Sequence, residues 1–195
     1  MTNYCITVKF HFDLLAPIYE ILIPPVFPQE MLTLLGDLKG KKILEVGGGT
    51  GRLAQYLLKY SDEVWIMDPS LPMLYKAKKA NRELKLIHGY AEKQPFPDEF
   101  FDLIIAVDSL HHWDHHEKGI QEVYRVLKSR GIFFIGEIHP KDKAGHFIVQ
   151  MEKTLLMRSR FFMPSELLKI LKENNFSIVD IGWLKKPTYF VKAVK

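Results

Sequence analysis

The chain reads as a doubly wound α/β domain with a mostly parallel sheet and an antiparallel hairpin at its C-terminal end. Three observations in its 195 residues carry that reading. Short apolar runs bounded by turn residues recur at 42–46, 63–67, 85–88, 101–107 and 132–137, the pattern of buried strands. Segments with helical periodicity separate most of them, and strands alternating with helices imply parallel pairing through right-handed crossovers. The first apolar run also opens into a glycine loop that leads into a helix, where open α/β sheets bind ligands.

The elements follow in order. Helical segments are expected at 52–60 and 71–80, after the first two strands. In 117–127, Ile120, Val123, Tyr124 and Leu127 keep the i, i+3, i+4, i+7 spacing of a buried stripe. The rhythm then changes to a helix at 164–174, a strand at 176–184, a Lys185-Lys186-Pro187 turn and a strand at 188–194, which predicts a hairpin closing the sheet edge. Between the fifth strand and that helix, 139–163 is too long for a simple connection. Its Phe, Met and Leu content with interspersed basic residues is read as a partly helical cover over the site.

Composition narrows the class. Hydrophobic residues make up 47% and charged residues 26%, the usage of a folded soluble protein, and the length suits one domain spanning 1–195. The single cysteine, Cys5, offers neither an internal disulfide nor a zinc-type pair, which fits a reducing cytoplasm. No apolar run approaches the eighteen or so residues of a membrane span, and the N-terminus lacks the pattern of an export signal. Lysine plus arginine exceed aspartate plus glutamate by 27 to 23, a net charge of +4. These charges are dispersed apart from pairs such as Lys41-Lys42 and Lys185-Lys186, so a nucleic-acid partner is not expected. Oligomeric state has no signature in the sequence.

The strongest chemical signal is Ile43-Leu44-Glu45-Val46-Gly47-Gly48-Gly49-Thr50-Gly51-Arg52-Leu53. Glycines at such a turn let a ligand approach the backbone closely. Arg52 stands where the dinucleotide fingerprint needs a small residue, which opposes an NAD-binding oxidoreductase, and the phosphate loop of ATP and GTP hydrolases is absent. The remaining pattern, Glu45-x-Gly47-x-Gly49-x-Gly51, resembles motif I of the class I S-adenosylmethionine-dependent methyltransferases, whose fold is Rossmann-like.

That resemblance extends along the chain and implies S-adenosylmethionine as cofactor. Asp68 ends the second strand where the family places the carboxylate that accepts both ribose hydroxyls, followed by Pro69 and Met73. Asp68 could instead cap the next helix, a role Ser70 can also fill. The glycine loop, Gly48 included, and Glu45 would hold the amino-acid end of the cofactor. Gly89 to Asp98 resembles the segment that borders the adenine; Tyr90 replaces the aspartate of many relatives, leaving recognition to Tyr90, Ala91 and Glu92. Asp108 and Ser109 would line the wall beside the methionine portion. Residues 12–20 resemble the cover that folds over the cofactor in small-molecule members, with Tyr19 facing the methionine part within an N-terminal helical cover of 1–36.

After the fourth strand, Leu110-His111-His112-Trp113-Asp114-His115-His116 holds four of the eight histidines. A metal site could draw on them with Asp108 or Asp114, but adjacent histidines seldom aim at one ion, and none is expected. The segment is similar to a form recurrent in methyltransferases resembling those of ubiquinone and menaquinone biosynthesis. There it implies that His111 or His112 takes a proton from the acceptor. His115 and His116 are expected as surface residues starting the next helix. The acceptor pocket is expected to draw on Tyr19, His111, Trp113 and the insertion 139–163, whose Phe147, Met151, Leu155, Phe161 and Phe162 would favour a small apolar or aromatic acceptor. An RNA or protein methyltransferase and a non-catalytic cofactor-binding protein are the other readings.

Overall fold

The computed structural model describes residues 11–22, 28–157 and 159–195. Parts of the expected N-terminal cover, 1–10 and 23–27, lie outside these, as does Cys5. Seven strands form one sheet: β1 (Lys42–Val46), β2 (Glu63–Asp68), β3 (Lys85–His88), β4 (Phe101–Val107), β5 (Leu127–Ile138), β6 (Ser177–Lys185) and β7 (Thr188–Val194). Their order is β3-β2-β1-β4-β5-β7-β6, with the first five parallel and β7 antiparallel to both neighbours. The expected doubly wound sheet and hairpin are therefore present.

Helices α1 (Pro28–Leu35), α2 (Arg52–Leu57) and α3 (Leu71–Ala80) cover one face; α4 (His116–Val126) and α6 (Pro164–Glu173) cover the other. Successive strand residues point to opposite faces, and the core divides accordingly. Ile43, Ile105, Phe134 and Phe190 pack with Met31, Leu53 and Leu74. Leu44, Ile104, Phe133 and Val191 pack with Ile120, Val123, Leu167 and Leu171. A further helix, α5 (Lys143–Thr154), lies in the segment expected to be partly helical, and short helical turns occur at 11–15 and Tyr19–Leu22.

Most boundaries fall within a residue of those expected, and three differences are informative. Helix α2 ends at Leu57 because Lys59 N–H bonds Tyr56 O, three residues back, tightening the chain into a turn before residue 60. Strand β5 begins five residues earlier than its apolar run, at Leu127. Its first stretch carries Lys128, Ser129 and Arg130 and pairs with β4 through a register shift between Phe101 and Leu103; polar residues at the rim hid it from a periodicity argument. The hairpin turn narrows to Lys186-Pro187.

The chain crosses from the β2 side of β1 to the β4 side at the centre of the sheet. Such a reversal leaves a crevice beyond the carboxyl ends of these strands, where ligands bind in open α/β sheets.

Candidate active site

The glycine loop is built by close approach. Gly47, at φ 72°, donates its N–H to Met67 O at 2.7 Å, and a Cβ added there would come 2.6 Å from Ser109 Cβ. Only glycine lets the β1 loop touch the β4 loop, where Ser109 Oγ donates to Val46 O at 2.8 Å. Gly49, at φ 54°, has no atom within 4 Å of its missing Cβ and opens onto a pocket. Gly48 and Gly51 do not line that pocket; an added Cβ at either would press on Ile66 at 2.8 Å, so both serve packing.

Asp68 fixes the opposite wall. One carboxylate oxygen accepts the Gly49 N–H at 2.9 Å and the other the Ser70 N–H at 2.8 Å. Burial pushes its pKa up to about 6, against the pull of those two amides. Helix α3 is capped by Ser70, whose Oγ accepts from Met73 N at 3.4 Å and donates to Asp13 Oδ1 at 2.6 Å. Asp68 therefore does not carry the cap.

Glu45 also stands behind the wall rather than on it. Its Oε2 accepts the Ala54 N–H at 3.0 Å, tying β1 to the first turn of α2, and burial raises its pKa to about 8. The folded chain holds this proton more tightly than the unfolded chain, whose pKa is near 4.5. The resulting stability is complete below the unfolded value and is lost as pH rises through about 8. Glu45→Gln keeps an acceptor for Ala54, so its melting temperature is expected to fall less between about pH 5 and about pH 8 than that of the ligand-free parent. Parallel slopes in scanning fluorimetry would refute the assignment.

The pocket opens between these walls and the N-terminal segment. Gly47, Gly49, Asp68, Pro69 and Met73 form one side, and Tyr90, Ala91 and Glu92 follow from the end of β3. Asp108 and Ser109 enter from β4, Asp108 at φ 52°, a conformation uncommon outside glycine. Tyr19 closes the pocket from the N-terminal segment with Phe12; Pro17 O accepts from Lys76 Nζ at 2.9 Å and holds that segment on α3. Burial, then the Asp108 charge, raises the Tyr19 pKa to about 12, so its hydroxyl stays protonated and acts as a donor.

The two histidines of the turn Leu110–His112 separate. His112 and Trp113 line the pocket, whereas His111 is buried behind it, 1% exposed and stacked on Phe161 at 4.4 Å. His111 Nδ1 lies 2.6 Å from Glu137 Oε2; its Nε2 lies 3.8 Å from Glu152 Oε1 and 4.0 Å from Asp108 Oδ1. Burial opposes charge on His111, but Glu137, Glu152 and Asp108 outweigh it and hold its pKa well above 6.5. Burial and the His111 charge push His112 well below 6.5. His112 meets Phe12 edge-on at 5.0 Å, and its Nδ1 lies 3.0 Å from Ser159 Oγ.

Other expected residues fall elsewhere. His115 is exposed, and His116, which begins α4, is half-buried: it packs edge-on against Phe162, and burial, then Arg160, lowers its pKa to about 4. The insertion's apolar residues do not line the pocket. Phe147, Met151 and Leu155 lie on the outward side of α5, 69%, 40% and 47% exposed, and Phe162 is fully buried in the core. What the insertion does contribute is support for the histidine turn, since Arg160 N–H bonds His111 O at 2.8 Å and Glu152 faces His111. Glu137 and Glu152 were missed. Glu137 had a signal as the lone charge in the apolar run of β5; Glu152 had none, because its role depends on how α5 docks.

Residues 44–135 match the methyltransferase domain family. A chloroplastic 2-methyl-6-phytyl-1,4-hydroquinone methyltransferase of Oryza sativa subsp. japonica is 36% identical over 117 residues, covering 57% of this chain and 36% of that one. A phthiotriol/phenolphthiotriol dimycocerosates methyltransferase of Mycobacterium tuberculosis is 30% identical over 150 residues, covering 74% and 56%. The chain therefore spans about a third of the plant relative's length. A Thermotoga maritima structure described as an S-adenosylmethionine-dependent methyltransferase, possible histamine N-methyltransferase, superposes with a TM-score of 0.79 at 23% identity, covering 95% and 99%. Residues 44–135 are thus similar to methyltransferase domains, and the superposition shows a shared fold. Among the described residues, no helix is long and apolar enough to cross a membrane.

Proposed function

We propose that the protein transfers a methyl group from S-adenosylmethionine to a small lipophilic acceptor of the hydroquinone or long-chain lipid type. The observation that carries this is one pocket at the sheet's reversal point, with Gly49 and Asp68 on one side and Phe12, Tyr19, His112 and Trp113 on another. The first pair suits a ribose and an amino-acid end, and the aromatic group suits an apolar ring. The plant and mycobacterial relatives, named for a hydroquinone and for phthiotriol lipids, point to the same acceptor class.

S-adenosylmethionine, when bound, supplies an electrophilic methyl group on a good leaving group. The chain's own residues position and shield. Asp68 receives the ribose hydroxyls, the Gly47 and Gly49 backbone lies against the amino-acid end, and Tyr90, Ala91 and Glu92 border the adenine, with Pro69 and Met73 beside them. Asp108 and Ser109 flank the methionine portion. Phe12 and Tyr19 exclude water, and the Tyr19 hydroxyl donates to the acceptor or cofactor. His112, neutral and in the pocket, takes the acceptor's proton; His111 orients the turn. One domain, with Phe12 and Tyr19 of the N-terminal segment over the cofactor and the insertion bracing the histidine turn, and a cytoplasmic location complete the reading.

The test is methyl transfer from labelled S-adenosylmethionine to a short-chain methylhydroquinone, to histamine and to RNA, with cofactor binding measured separately. Label is expected only in the hydroquinone, and His112→Ala should slow transfer about a hundredfold while binding persists. Cofactor binding with transfer only to histamine or RNA, or to nothing, would overturn the acceptor class.

A further inference from the structure

We propose that His111, His112 and Glu152 form a binding site for one divalent transition-metal ion of the zinc class, set in the wall of the same pocket. Ligand atoms from the three side chains all lie within 4.8 Å of one another. Around zinc, with bonds of about 2.1 Å, neighbouring ligands sit about 3.4 Å apart, so a small inward movement closes the shell.

The convergence leaves buried polar atoms without hydrogen-bond partners. His111 Nε2 is buried and has no hydrogen-bond partner, and neither has Glu152 Oε2 or Asp108 Oδ1. Nε2 faces Glu152 at 3.8 Å and Asp108 at 4.0 Å, both beyond hydrogen-bond length. Buried polar atoms are almost always satisfied; here Nε2 stops short of both carboxylates. A metal ion placed among them satisfies all three residues, with Asp108 within reach as a further ligand.

The opposite edges of the two rings are already held. His111 Nδ1 lies 2.6 Å from Glu137 Oε2, and His112 Nδ1 lies 3.0 Å from Ser159 Oγ. A metal-ligating histidine characteristically gives its other ring N–H to a carboxylate or similar acceptor, which fixes the tautomer and leaves a lone pair for the ion. With both Nδ1 atoms as donors, Nε2 of each ring is the ligating nitrogen. Two imidazoles and one carboxylate select zinc-like ions over magnesium and calcium, which prefer oxygen donors.

His112 also borders the pocket, so an acceptor hydroxyl can become a further ligand. Resting on the methyl-transfer reading, this gives the ion a role: with metal bound, the His112 lone pair is engaged and His112 serves as base only in the metal-free chain, while the ion lowers the pKa of the coordinated hydroxyl so that its proton passes to water. Metal binding itself does not depend on that reading.

The experiment is calorimetric titration of the full chain, stripped with chelator, with Zn²⁺ and with Mg²⁺, alongside visible spectra of the Co²⁺ form. One Zn²⁺ per chain is expected, with Co²⁺ bands of a nitrogen and oxygen site, and Glu152→Gln and His112→Asn should each weaken binding at least tenfold. S-adenosylhomocysteine binding to Glu152→Gln without metal shows that this variant is folded. Absence of stoichiometric Zn²⁺ from a folded parent, equal affinity in the folded Glu152→Gln variant, or preference for Mg²⁺ would overturn the site. Zn²⁺ bound as expected with no adenosyl ligand bound would leave the metal site standing and remove the methyltransferase reading.

Discussion

Asp68→Ala is expected to weaken S-adenosylhomocysteine binding at least tenfold, about 1.4 kcal/mol, in calorimetric titration. Its carboxylate does two things at once. It accepts the Gly49 and Ser70 amides at 2.9 and 2.8 Å, which shapes the glycine loop, and it presents the remaining lone pairs to the pocket for ribose hydroxyls. Alanine removes both. Asparagine keeps the size, but it can accept at only one terminus and turns an amino group towards an N–H donor, so Asp68→Asn should fail nearly as badly. Because burial lifts the Asp68 pKa to about 6, the acid must lose its proton to serve as a full acceptor. Parent affinity should therefore rise from about pH 5 to about pH 7, and the rise should vanish in Asp68→Ala. Affinity retained within about twofold by the alanine variant would remove Asp68 from the cofactor site.

How much of this was legible depends on whether a residue's role is local. Asp68 was readable because strand, acid and capping serine follow one another within the chain, and Gly47 and Gly49 because a loop between strand and helix states its own geometry. Most of the residues proposed for the cofactor accordingly lie on the pocket. Glu45 was placed with them by resemblance, yet its carboxylate turns inward to the Ala54 amide, a choice set by how α2 sits over β1. The histidine pair shows the limit most clearly. Nothing in Leu110-His111-His112-Trp113 says which ring faces the pocket, because that depends on Glu137 from β5 and Glu152 from α5, both distant in sequence. Likewise the apolar stripe Phe147, Met151 and Leu155 has helical spacing but no label for the side that docks, and the structure turns it outward.

Glu137→Ala is expected to cost about 3–5 kcal/mol of stability, the range for removing one partner of a buried charge pair. Glu137 is fully buried near the end of β5, where the apolar Ile135 and Ile138 surround it in sequence, and its carboxylate meets the backbone N–H and Nδ1 of His111, at 3.3 and 2.6 Å. Without the carboxylate, an imidazole that burial alone would neutralise loses its main source of compensation, and a gap opens beside β7. Urea unfolding in the presence of chelator separates this from any contribution of a bound ion. The paired variant Glu137→Leu with His111→Phe tests whether the loss belongs to the pair: it should recover much of the stability, giving a coupling of about 1–3 kcal/mol in a double-mutant cycle. Additive losses would mean that each side chain only fills space. The recovered variant should still transfer no methyl group efficiently. Holding His111 is what turns His112 towards the pocket, so an apolar core that restores the fold leaves the chemistry without its positioned imidazole. Stability regained together with full transfer would show that the buried pair has no part in orienting the site.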